Sequence, residues 1–172
     1  MQILINGMRV YFKLKTILIY LLFLALPFSC KKQDDSYIVN TELILPANAF
    51  KTKQKTDQQY VAILHANLFQ QALSANELYD VAQCVESIGD KEVAREVIIS
   101  NFMNKSGVIM PSDSMMRADI DGFIYETYKR FLVREPTEAE TTYFKNYINS
   151  DPNVTPELVY FAFALSNEYL FY

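Results

Sequence analysis

From Tyr60 onward, apolar residues return every three or four positions, and the gaps between these stripes carry start and stop signals, so the chain predicts helices in series. Thr56 with Gln59 forms a capping box, in which each side chain satisfies an amide of the first turn. The helix it opens carries Tyr60, Ile63, Leu64, Asn67 and Leu68 on one face and is expected to end near Leu73. Ser74 with Glu77 makes a second box, with Leu73 and Leu78 at the staple positions, and its helix runs to about Ile88, where Gly89 can take a left-handed C-terminal conformation. Asp90 caps a third helix with Val93, Val97, Ile98 and Phe102 as its apolar set, and Asn104 to Pro111 form a loop. A fourth helix begins near Ser112 to Ser114 and reaches Leu132 or Val133, Gly122 marking either a kink or a true start at Asp121. Thr137 with Glu140 opens the fifth, and Thr155 with Pro156 at the first helical position opens the sixth, expected to run to the C-terminus.

Residues 60–102 and 123–168 can be laid over one another. Leu68-Phe69 falls on Phe131-Leu132, Ser74 on Thr137 and Glu77 on Glu140; with three extra residues in the second break, Ser100-Asn101 falls on Ser166-Asn167. The fold expected is all-α: a six-helix bundle of two similar three-helix units, 56–106 and 112–172, closed around a shared core. The competing account is that any two amphipathic helix triplets can be brought into such a register.

The pattern before Thr56 is different. Thirteen uncharged residues, Thr16 to Phe28, follow Arg9, Lys13 and Lys15 and precede Ser29 and Cys30, which are the three parts of a secretory signal. A spanning helix needs about 20 apolar residues, so the run is short for a permanent span. Met8-Arg9 is a more ordinary start for such a signal than Met1. The segment LALPFSC resembles the lipobox of bacterial lipoproteins, with Ser29 in the small position, although Pro27 and Phe28 depart from the commonest pattern. CKKQDD resembles lipoproteins of the Bacteroidota. The resemblance implies a diacylglyceryl group on the Cys30 thiol, cleavage before it, and attachment to the cell envelope by acyl chains, at the outer membrane on its periplasmic face or the cell surface. Each buried CH₂ adds about 0.8 kcal/mol, and two or three chains make the anchor stable. The plainer account of Cys30 is an ordinary secreted thiol. The organisation expected is a signal peptide at 1–29, a lipidated cysteine and tether at 30–55, and a helical domain at 56–172. The tether is polar to Ser36 and is expected to be disordered at least that far. Tyr37 to Leu45 alternates and could pack on the domain as a short extended segment, before Pro46, Asn48 and lysines 51, 53 and 55 break it.

Charge narrows the functions. The full chain carries 16 Lys+Arg and 20 Asp+Glu; removing 1–29 takes Arg9, Lys13 and Lys15 and no acid, leaving 13 against 20, a net of −7. Such a body lacks the basic surface that phosphates require, so nucleic acid is not an expected partner. With Cys30 lipidated, Cys84 is the one thiol left, which excludes an intramolecular disulfide and a cysteine metal cluster; it is expected to be a buried small hydrophobe. His65, the single histidine, is expected to be a packed helix residue. No CxxCH, Gly-rich phosphate loop or nucleophile elbow occurs, so no cofactor, metal or catalytic residue is assigned. Glu138/Glu140 and Asp119/Asp121 are the carboxylate pairs open to acid–base work, with exposed helix charges as the ordinary account.

The second unit reads FIYETYKRFLVREPTEAETTYF and, after a break, LSNEYLFY. This resembles a helical pattern, Y-x-x-hydrophobic-L-x-R-x-P-T-x-x-E followed by S-x-E-Y/F, of domains of unknown function beside cytochrome-like modules, and is similar to helical repeats related to phycobilisome linkers. Arg134, Pro136, Thr137, Glu140, Ser166 and Glu168 sit at its positions, and Val133 stands where those families usually carry Gly. The resemblance implies a fold and no activity. Pro136 disfavours helix at Glu135 and ends the fourth helix. Arg134 is expected to pair with Glu168 or Glu140 and hold the last segment.

The function expected is a non-catalytic interaction, accessory or scaffold module tethered in the envelope, with a protein partner there. Tyr37, Tyr143, Tyr147, Tyr160, Tyr169 and Tyr172 are candidates for an aromatic face, although most are expected in the core or half-buried. The terminal EYLFY either folds back onto the first helix or docks on a partner. A small-ligand carrier with a pocket between the two units is the alternative, and an enzyme using helix-borne carboxylates a more remote one.

Overall fold

The computed structural model describes residues 43–172, and the signal segment, Cys30, Tyr37 and the rest of the chain to residue 42 lie outside the described residues. The compact unit that holds the described part spans Glu42–Tyr172. It is all-α: α1 (Asp57–Phe69), α2 (Ala75–Ser87), α3 (Lys91–Met103), α4 (Asp113–Ala118), α5 (Ile120–Thr127) running into a single π turn (Tyr128–Leu132), α6 (Glu138–Ser150), α7 (Pro156–Leu165) and a 3₁₀ turn (Glu168–Leu170).

Local chemistry sets the starts. Reciprocal capping boxes open α1 (Thr56/Gln59), α2 (Ser74/Glu77) and α6 (Thr137/Glu140), Asp90 caps α3 and Ser112 caps α4. Thr155 caps α7 with Pro156 at its first position. Each such cap contributes about 1 kcal/mol.

The ends differ from the sequence reading. α1 stops at Phe69 rather than Leu73, because Gln70 turns left-handed at φ 52°, ψ 30°. α2 closes on Ile88 in an extended conformation, not on a left-handed Gly89; this pulls Ile88 back against the core. On α3 the buried stripe is Ala94, Ile98, Ile99 and Phe102, while Val93 and Val97 are 46% and 52% exposed, so the expected set mixed two faces. The expected fourth helix is two helices. Asp119 leaves helical geometry (φ −144°, ψ 78°) and its carboxylate accepts from the Gly122 amide at 2.9 Å, so α5 starts at Ile120 rather than Asp121. A Cβ on residue 122 would meet that carboxylate, so a larger residue there would displace the Asp119 side chain from its capping position. The last helix stops at Leu165, and Ser166 turns the chain into the 3₁₀ segment.

The core is continuous. α1 packs on α2 and α3, α5 on α6, and α3 on α7. Leu64, Leu68, Ile99, Phe102, Ile124, Phe131, Ile148 and Tyr169 are fully enclosed, and each such side chain contributes about 1.5–3 kcal/mol by leaving water. Aromatic contacts knit the C-terminal half: Phe123 stacks on Tyr160 at 5.9 Å, Tyr128 meets Phe163 edge-on at 4.8 Å, and Phe131 touches Tyr160, Phe163 and Tyr169.

Residues 43–55, which the sequence reading groups with the tether, run along this domain as a strap. The Leu45 amide donates to Val133 O at 3.0 Å, and Leu45 O accepts from the Glu135 amide at 3.1 Å. The Lys55 amide donates to Leu170 O, and the Tyr172 amide to Lys53 O, both at 2.8 Å. The strap thus joins the end of α5 to the C-terminal segment.

Candidate functional site: a groove and the ion triad beside it

The motif residues of the second unit converge. Arg134, 6% exposed, follows the left-handed Val133, whose conformation turns the chain out of the π turn. Its Nε and Nη2 donate to the two Glu168 oxygens at 2.6 and 2.7 Å, and its Nη1 and Nη2 to the two Glu140 oxygens at 2.9 and 2.7 Å. Nη1 also donates to Glu135 O and to Ala47 O of the strap. One planar fork therefore ties α5, α6, the 3₁₀ turn and the strap, a task a point-charge ammonium cannot perform. The guanidinium lies 4.9 Å from the Tyr128 ring centre. Pro136 precedes the capping box, and the Ser166 hydroxyl donates to Phe163 O at 2.7 Å and accepts from the Tyr169 amide at 3.3 Å, which presents Glu168 to Arg134. Burial alone would raise the Glu140 carboxyl, but hydrogen bonds from Arg134 and Thr137 outweigh it and hold it down at about 2. Its hydrogen bonds to Glu140 and Glu168 raise Arg134 further above its ordinary value.

Beside the triad, a half-open groove of about 1050 Å³ runs between α1 and the α4–α5 arm. Ile63, Ala66 and Asn67 of α1 form one wall; Met115, Phe123 and Arg130 stand on the other, and Leu45 and Lys55 of the strap and Phe171 line one end. Sites for small ligands commonly occupy about 300–1,000 Å³ and combine an apolar lining with a few placed polar groups, which describes this groove. Left-handed Val133 also lines it; a β-branched residue rarely adopts that conformation.

Its cations are held in contrasting ways. Lys129 pairs with Glu126 at 3.3 Å. Lys51 donates to Leu132 O and lies 3.6 Å from Glu168. Lys55 donates to Tyr169 O and sits over the Tyr169 and Tyr172 rings at 4.2 and 5.4 Å; burial, then repulsion from Lys51, lowers its ammonium to about 8 against the pull of Glu168. Arg130 donates through Nη1 to Ile109 O at 2.7 Å and to the Tyr160 hydroxyl at 3.1 Å, with its guanidinium 5.5 Å from the Tyr160 ring centre. Among the described residues, neither Lys55 nor Arg130 forms an ion pair with a carboxylate.

The other candidates are dispersed. Glu140 is engaged by Arg134, Asp119 is a helix cap and Asp121 pairs with Lys145 at 2.6 Å, so three of the four carboxylates of the sequence reading are tied into structure, and Glu138 is exposed on α6. His65 stacks on Phe69 at 4.4 Å and bonds Gln71 O through Nδ1. Cys84 is exposed, contrary to expectation: Ala82 and Val85 are the residues α2 turns inward, and position 84 falls off that stripe. Tyr160 and Tyr169 belong to the core, whereas Tyr143, Tyr147 and Tyr172 are exposed. EYLFY folds back onto α1, with Tyr169 edge-on to Tyr60 at 5.6 Å and its hydroxyl accepting from Asn67 at 2.9 Å. Among the described residues, no helix is long and apolar enough to cross a membrane, and no group of three or more His, Cys, Asp or Glu could hold a metal ion.

The sequence reading offered a pocket between the two units as an alternative but named none of its residues, because the groove's two walls lie some 60 residues apart in the chain and the strap residues at its end carry no helical period. No protein-family model, curated protein or solved structure matches this chain.

Proposed function

We propose that this chain is a lipid-anchored, non-catalytic binding module of the cell envelope, built from two similar three-helix units, whose binding site is the groove between α1 and α5. The observation that carries the reading is the groove itself: an apolar trough with cations at its margins, next to carboxylates that are already committed to caps and ion pairs. The anchor rests on the basic, apolar and Ser29-Cys30 sequence of the N-terminal segment. The two-unit reading gains support from spacing. Gln70 and Val133, both left-handed, stand 63 positions apart, as do Ser74 and Thr137, and the helices those caps open are each 13 residues long. The caps Asp90 and Thr155 stand 65 apart, so the second break carries two extra residues at the helix starts rather than three.

The test is capture from intact membranes in mild detergent, comparing wild type with Ala66→Trp, which places an indole in the groove from an exposed α1 position. Co-purifying material should be retained by wild type and lost by the variant at unchanged melting temperature. Recovery of the chain alone from wild-type membranes in several detergents would overturn the binding reading. Mass spectrometry showing an uncut, unmodified N-terminal peptide would overturn the anchor.

A further inference from the structure

We infer that the groove takes a single-chain amphiphile with an anionic head, the head resting on Arg130 and the chain lying over Ile63, Ile109 and Met115. This rests on the groove being the binding site. The described residues carry 17 Asp and Glu against 11 Lys and Arg, yet the groove is lined by Lys51, Lys55, Lys129 and Arg130 against Asp119 and Glu126. The local charge is thus opposite in sign to that of the domain, and it selects an anion.

Arg130 is built to receive one. Its Nη1 is spent on Ile109 O and the Tyr160 hydroxyl, both neutral, and these bonds with the Tyr160 ring fix the plane of the guanidinium. Nε and Nη2, the edge that matches a carboxylate or phosphate oxygen pair, make no bond to the described residues. A half-buried cation held by neutral acceptors gains more from a bound carboxylate than an exposed one does, because less water competes. Lys55 is a second cation of the same kind at the strap end of the groove. Beneath them Phe131 and Tyr160, in contact at 4.9 Å and almost wholly buried, close the floor, and the accessible apolar walls are Ile63, Ile109 and Met115. Met115, exposed on this wall, belongs to a residue type that adapts to ligand shape. A polar ligand would waste these walls, and a neutral or cationic amphiphile would leave Arg130 without its counter-charge.

The experiment titrates 11-(dansylamino)undecanoate into the mature chain carrying Cys30→Ser, so that no attached lipid competes, and follows dansyl fluorescence. Dodecanoate and dodecyl phosphate are expected to displace the probe, whereas dodecanol should do so at least tenfold less well and dodecyltrimethylammonium not at all; the ratio of the first two reports which anionic head fits better. Arg130→Gln should weaken the dansyl probe at least tenfold and Lys55→Gln severalfold, while N-phenyl-1-naphthylamine, an uncharged probe of the apolar walls, binds all three proteins alike. Lys55→Gln keeps the inference testable if Arg130→Gln melts early. Displacement indifferent to head charge, or charge variants that bind the probe as wild type does, would overturn the inference. Absence of probe binding while Ala66→Trp still abolishes capture from membranes would overturn the amphiphile and leave the binding module standing. Tight head-selective probe binding with capture unaffected by Ala66→Trp would support the ligand and remove the envelope partner.

Discussion

Arg134 and Lys55 are opposite solutions to placing a cation in the body of the protein. Arg134 is enclosed with two carboxylates that are each about one-third exposed, so its removal leaves those acids facing each other without a counter-charge, while water relieves part of the cost. Arg134→Met should destabilise by about 2–3 kcal/mol, below the 3–5 typical of a fully buried pair, and lower the melting temperature by roughly 5–10 °C; a change under two degrees would remove its structural role. The acid limb follows from Glu140, whose folded value of about 2 lies below its ordinary 4.5. Its contribution is complete above about 4.5 and is lost as pH falls towards 2, so acid unfolding should be shallower in Arg134→Met than in wild type. Lys55 runs the other way. Its folded value of about 8 lies below 10.5, the unfolded chain binds the extra proton between those values, and stability from this group therefore rises with pH across that window. The urea midpoint should increase from pH 7.5 to 9.5 in wild type and stay flat in Lys55→Met. Above about pH 10 the buried Tyr60, Tyr128 and Tyr169, whose phenols burial raises, take over with the opposite sign and stability falls.

At the scale of elements, starts were legible and ends were not, for a physical reason. A helix start is written in adjacent residues: Thr56/Gln59, Ser74/Glu77 and Thr137/Glu140 satisfy their own amides whatever surrounds them. Ends here depend on what the chain must reach next. α1 stops at a glutamine and the π turn at a valine, both in left-handed geometry, where a sequence reader looks for Gly. Asp119 breaks an apolar pattern that would otherwise continue from Met116 to Phe123, and Ser166 ends α7 so that Tyr169 enters the core and Glu168 meets Arg134. Val133 offers a direct test. Its left-handed backbone costs a β-branched residue about 1–2 kcal/mol, and glycine adopts it freely at some entropic loss in the unfolded chain. Val133→Gly should therefore stabilise the domain by about 0.5–1 kcal/mol, raising the melting temperature by a few degrees. A loss instead would mean that the valine methyls lining the groove are worth more than the strain.

For the whole molecule, the question is where the domain begins. Helical periodicity starts at Tyr60 and the first cap is Thr56, so the sequence alone draws the border there; the lysines at 51, 53 and 55 read as a solvated break. They are instead the means by which the strap is fastened. Lysine can bury its four-carbon stem and direct its ammonium to a carbonyl, and Lys51 and Lys55 do so to Leu132 O and Tyr169 O, bonds that span 81 and 114 residues and leave no trace in local pattern. Four backbone hydrogen bonds join the strap to Val133, Glu135, Leu170 and Tyr172. At a net of about 0.5–1.5 kcal/mol each, they contribute about 2–6 kcal/mol, a large share of the 5–15 kcal/mol that holds a typical domain. The strap also closes one end of the groove and supplies Ala47 O to Arg134. A chain of residues 56–172 should therefore melt at least 10 °C below one of residues 42–172 in circular dichroism and, if it folds, bind the dansyl probe weakly, since Lys55 is gone. Equal melting temperatures would show that the helices close their core unaided and that the strap only rests on them.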